Sequence, residues 1–172
     1  MKTSAKAKGA AAGGALALAL GLLAILEGFG PEVRPGVYAS YVDIAGVVTI
    51  CNGHTGSDVH LGMTATQSIC EDIAKEDLGE AFAIEDRYIR SPEDLEPWVR
   101  AAAALFIVNV GEGGFRQSSF LRLLNERKIT DACNAMLLWN KARAGPQGAL
   151  VVVPGLVNRR QVERRLCLGE TP

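Results

Sequence analysis

The sequence has almost no net charge: 18 basic residues stand against 19 acidic ones, leaving a formal value of −1. Without a broad basic field the chain lacks the electrostatic footprint of a nucleic-acid binder, and no nucleic-acid partner is expected. Histidine is scarce, at two residues, and the four cysteines Cys51, Cys70, Cys133 and Cys167 include no CxxC or zinc-finger spacing. That absence argues against a metal site, and no cofactor is expected. Internal repeats are also lacking. The one glycine-rich turn, Gly111-Glu112-Gly113-Gly114, has neither the length nor the lysine of a phosphate-binding loop. What remains is 172 residues of ordinary globular composition, enough for one domain with a single sizeable core.

The apolar surplus is concentrated at the N-terminus. Gly9 to Leu26 carry no charge, and Lys2, Lys6 and Lys8 precede them. Eighteen apolar residues just reach the roughly 17–25 needed to span a bilayer, and the lysines fit a positive-inside start. A cleaved signal peptide, an uncleaved anchor and a buried helix of a soluble protein all fit this pattern. Alanine and glycine make up more than half of the run, so lipid would hold it weakly and it could leave the membrane. An even number of cysteines downstream of an export segment suggests two disulfides in an oxidising compartment. Of three connectivities, the neighbour pairing Cys51–Cys70 and Cys133–Cys167 is the expectation, with free buried cysteines as the alternative.

Gly28 to Gly36, with three glycines and two prolines, reads as linker or loop. Val37 to Ile50 has strand character, with a turn near Ile44–Gly46, and predicts a small antiparallel hairpin followed by more short structure through Gly62. Helices follow. Thr64-Ala-Thr-Gln67 has capping-box spacing and predicts a helix over Thr64–Ala83. Ser91-Pro92-Glu93-Asp94 predicts another over Ser91–Val110, stopped by Gly111–Gly114, whose later part is apolar all round and therefore central. Ser118–Asn125 and Thr130–Trp139 read as short helices, Asn140–Pro154 as a loop, and Asn158–Leu168 as a final helix. A small β lobe before a larger α-helical lobe is an α+β arrangement, and the cleft between the lobes is a natural binding site.

Three ordered motifs carry more specific information. The first is Tyr41-Val-Asp43-Ile-Ala-Gly46-Val-Val-Thr49, continuing to Gly53-His54-Thr55. The second is Asn109-Val-Gly111-Glu-Gly113-Gly-Phe115 through Leu121. The third is Gly155-Leu-Val-Asn158-Arg159-Arg160 with Glu163-Arg164 and Cys167-Leu168. Together they resemble the phage lysozyme family. The cysteines and the N-terminal run resemble its lambdoid signal-arrest-release endolysins. The resemblance implies a lysozyme-like fold over residues 28–172, preceded by an N-terminal anchor over residues 1–27. It implies a monomeric muramidase that cuts the β-1,4 bond between N-acetylmuramic acid and N-acetylglucosamine in peptidoglycan glycan strands, for host lysis. It also implies export to the periplasmic face of the host inner membrane, attachment through the N-terminal segment, and later release. No cysteine lies in residues 1–36, so activation by disulfide exchange from the anchor is not expected.

In that family a Glu, an Asp and a Thr carry the chemistry. One acid protonates the leaving oxygen, while a carboxylate holds water or stabilises an oxocarbenium-like transition state. The resemblance gives the second role to Asp43. Thr49 lies across the predicted hairpin turn, where its hydroxyl can bond the same water. The acid is the departure. The family glutamate stands nine residues before the aspartate, and that position here is Arg34, which cannot serve as a general acid. Three accounts stay open. Glu27, in Leu26-Glu27-Gly28, matches the hydrophobe-Glu-Gly at the end of the family's first helix if seven extra residues intervene, and desolvation there would raise its pKa. Glu32 needs a smaller insertion. Otherwise Arg34 replaces the acid, and the chain is a pseudo-lysozyme that binds glycan or regulates lysis.

Other candidates have competing readings. His54 suits a hydrogen-bonded structural role better than a metal or base role, and His60 reads as exposed. Trp98 and Trp139 could stack on sugars, although Trp139 sits at a core-like position. Arg159, Arg160, Arg164 and Arg165 could touch the anionic wall polymer or simply form a solvated helix face. The Gly111–Gly114 turn either lines the cleft or only ends its helix.

Overall fold

The computed structural model describes residues 4–43, 46–143 and 148–171. Six helices and eight short strands are assigned among them. The first helix, α1, spans Ser4–Glu27. In it Ala15, Ala19 and Leu23, spaced at one-turn intervals, are fully buried in the main core. Small residues on that stripe let α1 approach the central helix closely. Ile25, on another face, stays exposed. No helix among the described residues is long and apolar enough to cross a membrane.

Glycine ends α1: Gly28 adopts φ 61°, a left-handed conformation that a side chain disfavours. The stretch expected to be a linker then forms an edge strand, β1 (Glu32–Arg34), which pairs antiparallel with β2 (Val37–Ala39). The Glu32 carboxylate closes the intervening turn by accepting from the Gly36 N–H at 2.7 Å. The expected hairpin is present as β3 (Tyr41–Val42) and β4 (Val48–Ile50), with Tyr41 opposite Thr49. Residues Ile44 and Ala45 of its turn lie outside the described residues, while Gly46 follows at φ 83°. Strand β5 (His54–Thr55) completes this sheet, and β6 (Thr64–Thr66) completes the other in the order β1-β2-β6.

Because Thr64–Thr66 pairs with β2, the next helix starts two residues later than a Thr64 cap would place it. Helix α2 runs Gln67–Tyr88 with Thr66 as its N-cap, accepting from the Ile69 N–H. Ser91 likewise fails as a cap. It sits at φ 47° before a single 3-10 turn, and the central helix α3 starts at the second proline, spanning Pro97–Gln117. As its composition predicts, α3 is buried continuously from Ala101 to Ile107. Gly111, at φ 73°, kinks this helix without ending it. Helix α4 (Ser119–Asn125) has Ser118 as a working cap, and α5 (Ile129–Ala135) continues into a 3-10 turn at Met136–Leu138.

The predicted loop Asn140–Pro154 is partly a hairpin, β7 (Lys141–Arg143) with β8 (Leu150–Val152); residues 144–147 lie outside the described residues. Helix α6 (Pro154–Cys167) closes the fold. Phe106 lies edge-on to Phe120 and Trp139 at the centre of the main core. A smaller core of Ile50, Val59 and Ala65 underlies the strands. Both disulfides have the neighbour pairing: Cys51–Cys70 ties the strands to α2, and Cys133–Cys167 ties α5 to α6.

Candidate active site

Glu27 is the last residue of α1 and is about one quarter exposed, at 23 %. Four features hold this end of the helix. Gly28 turns the chain away. Asn52 Nδ2 donates to the Gly28 carbonyl at 3.0 Å. Arg159 of α6 forms an ion pair with the Glu27 carboxylate. Gly53, at φ 85°, lays its backbone so close that a Cβ there would sit 3.4 Å from Glu27 Cδ. Glycine at 53 thus serves both an unusual backbone conformation and a close approach.

Asp43 follows β3. Its carboxylate oxygen Oδ1 accepts from the Val47 N–H at 2.8 Å, and its own N–H donates to the Val47 carbonyl, so the side chain is fixed at the mouth of the hairpin. Thr49 on β4 is almost fully buried, and its hydroxyl donates to the Val47 carbonyl at 3.2 Å. Glu27, Asp43 and Thr49 line one cavity of about 400 Å³ between the strands and the helices. It shares Glu27, Asp43, Asn109 and Leu156 with a cavity of about 530 Å³ that reaches Trp139, Lys141 and Arg159. On its other side it shares Gly53, Thr55 and Val108 with one of about 330 Å³ lined by His54, Asp77, Gly111 and Glu112. The three form a continuous groove along the seam between the lobes.

The other two candidates for the acid position stand elsewhere. Glu32 and Arg34 are exposed on β1, and neither lines any of these cavities. The residues that separate Glu27 from Asp43 beyond the family spacing fold back as the β1–β2 hairpin at the sheet edge, so the added length does not carry Glu27 out of the groove.

His54 is held by side chains on both ring nitrogens, with Nδ1 2.9 Å from Asp77 and Nε2 3.3 Å from Asp58. Burial works against its charge, but Asp77 and Asp58 outweigh it and keep the imidazole above its ordinary value. This is a structural bridge from β5 to α2, and among the described residues no cluster of three histidine, cysteine or carboxylate groups could hold a metal. His60 is exposed. Trp139 is partly buried against Phe106 yet lines the groove, whereas Trp98 packs over Gly169 in a separate cavity.

The arginines of α6 correct the sequence reading. Arg159 and Arg160 do not belong to a solvated face; they are buried with Glu163, and Arg160 also donates to Asn109 at 2.8 Å. Burial lowers Arg160 to about 10, against the pull of Glu163, so it remains charged near neutrality. Arg165 is exposed, and Arg164 donates to Asn134. The roles of Arg159, Asn109 and Asn52 at the groove were not anticipated. The only signal was that Asn109 and Arg159 stand inside the second and third motifs.

The phage lysozyme family model matches residues 32–163. The chain is 38% identical over 164 residues to the SAR-endolysin of Enterobacteria phage P21, covering 95% of this chain and 94% of that one. Among solved structures, it resembles the endolysin from Escherichia coli O157:H7 phage FAHEc1 with a TM-score of 0.76 and 26% identity, over 90% of this chain and 94% of the other. A P22 lysozyme mutant aligns with a TM-score of 0.66 and 32% identity, over 87% and 94% respectively. The lysozyme-like α+β fold, the interlobe groove and these relationships together establish that this chain belongs to the phage lysozyme family of glycoside hydrolases.

Proposed function

We propose that the chain is an endolysin-type muramidase that hydrolyses the β-1,4 bond between N-acetylmuramic acid and N-acetylglucosamine, with Glu27 as general acid and Asp43 and Thr49 positioning the attacking water. The observation that carries this reading is the convergence of Glu27, Asp43 and Thr49 on one cavity inside a longer groove. Glu27 gives its proton to the glycosidic oxygen as the C–O bond breaks. Water held by the Asp43 carboxylate and the Thr49 hydroxyl attacks the anomeric carbon, and its proton passes to Asp43. Arg159 fixes the Glu27 carboxyl, and Gly53 shields it from one side.

Clearing of purified Gram-negative peptidoglycan by the soluble protein tests this. Glu27→Gln and Asp43→Asn each lose about 10²–10⁴-fold in rate, while Glu32→Gln leaves the rate unchanged. The pseudo-lysozyme reading draws its support from Arg34 at the family's acid spacing. A folded parent that binds glycan but never clears it would make that reading the working function.

We further propose that residues 1–27 export and anchor the protein at the periplasmic face of the inner membrane, and that their release lets a monomeric domain of residues 28–172 complete its groove. The lysine flank and weakly apolar composition support this, as do the relatives named SAR-endolysins. Cell fractionation before and after depolarisation is the test.

A further inference from the structure

We infer that Asn52 is a positioning residue for Glu27: its side-chain amide latches the end of α1 to the strand lobe and so sets the general acid in the groove. This rests on the assignment of Glu27 as the acid.

Asn52 is 3 % exposed, yet its amide makes one hydrogen bond, from Nδ2 to the Gly28 carbonyl, while Oδ1 is buried with no partner. A buried side-chain amide committed to a hydrogen bond between the lobes does more there than fill space. The bond it does make crosses from the strand lobe to the peptide immediately after Glu27. The lobe side of this link is rigid on both flanks of Asn52. Cys51, at φ 54°, is fixed to α2 through Cys70, and Gly53 rests against the Glu27 carboxylate. On the helix side, the Gly28 N–H still bonds the Ala24 carbonyl and Leu26 packs against the main core, but at Gly28 the chain leaves the helical conformation, and it is the carbonyl of that residue that Asn52 holds. Asn52 therefore fixes the backbone of the acid from one direction, while Arg159 fixes its carboxylate from the other.

Asn52→Ala removes the latch, and Asn52→Asp keeps the shape but replaces the donor with a buried negative charge near Glu27. Both are compared with the parent on soluble peptidoglycan fragments, well below the melting temperature of each variant. The Glu27 carboxyl is followed separately by its 13C chemical shift across a pH titration. A small displacement of a reacting group costs on the order of 10²-fold in rate, so kcat falls by about that much in Asn52→Ala with KM unchanged. In Asn52→Asp the Glu27 titration midpoint moves to higher pH, and the acid limb of the rate profile moves with it. Asn52→Ser, whose hydroxyl is too short to reach the Gly28 carbonyl, shows a similar loss.

A folded Asn52→Ala with parental kcat overturns the inference. So does a folded Asn52→Ala protein whose Glu27 13C shift and titration midpoint match the parent's, a readout that needs no activity. If Asn52→Ala fails to fold, Asn52→Ser decides by the same readouts. A Glu27 midpoint that differs between Asn52→Ala and a parent that itself has no activity would leave the latch standing and remove the muramidase reading instead.

Discussion

Single residues show most clearly where linear spacing informs and where it misleads. Asp43 and Thr49 could be proposed from spacing because a strand pair with a short turn keeps them near one another; in the structure Thr49 stands opposite Tyr41 and Asp43 opposite Val47, so the two are diagonal neighbours on one cavity wall. Counting alone leaves Glu27 and Arg34 both open, because it does not reveal that residues 32–39 fold back on themselves as the β1–β2 hairpin. Arg159 and Arg160 were hidden for another reason: charged residues on a terminal helix look like a wet face, and only the packed structure shows Glu163 buried between them. A second buried carboxylate gives a pH prediction. Burial pushes Glu85 from 4.5 up to about 8, against the pull of Arg100. The folded state then keeps a proton that the unfolded chain releases, so this residue makes stability fall as pH rises from about 4.5 to 8 and adds no slope above that. Urea unfolding of Glu85→Gln at pH 5 and pH 8.5 will show a smaller loss between the two than the parent does.

At the level of elements, helices were read better than their ends. The central α3 was evident from an uninterrupted apolar stretch, but two Ser/Glu-Pro steps compete to start it. The second succeeds because Ser91 is held left-handed. The Thr64 cap was displaced because a three-residue pairing with β2 takes the backbone first. Hairpin β7–β8 was missed because Leu150, Val151 and Val152 are all exposed, so no alternation of apolar and polar residues marks it. Helix α1 is the most consequential element. Its composition suggested a membrane segment, and the described structure shows a stripe packed into the main core. Leu23 is 1 % exposed there. Leu23→Ala should therefore cost about 2–5 kcal/mol of stability, read from the shift in the urea midpoint. The exposed neighbour Ile25→Ala should change it by less than about 0.5 kcal/mol.

For the whole molecule, the same short segment would have to suit two surroundings, lipid first and protein afterwards, under the reading proposed above. The small buried residues Ala15 and Ala19 fit the second, while the scarcity of large side chains weakens the first. After depolarisation, the protein is expected to move from the membrane fraction to the soluble periplasmic fraction at unchanged mass. Protein that stays wholly membrane-bound would rule out release, and a mass lacking the first 27 residues would mean cleavage and the loss of Glu27. Fold class, lobes and disulfides could be anticipated because local patterns set them. The groove's walls could not, because they are assembled from opposite ends of the chain.

The pairing of Glu27 with Arg159 also bears on how the protein is made. A ribosome synthesises Glu27 early and its arginine partner more than 130 residues later. Any nascent or prematurely terminated chain that stops short of α6 lacks that wall of its groove, so partial translation products carry the glutamate, with Asn52 and Gly53 beside it, but without the cation that pairs with its carboxylate.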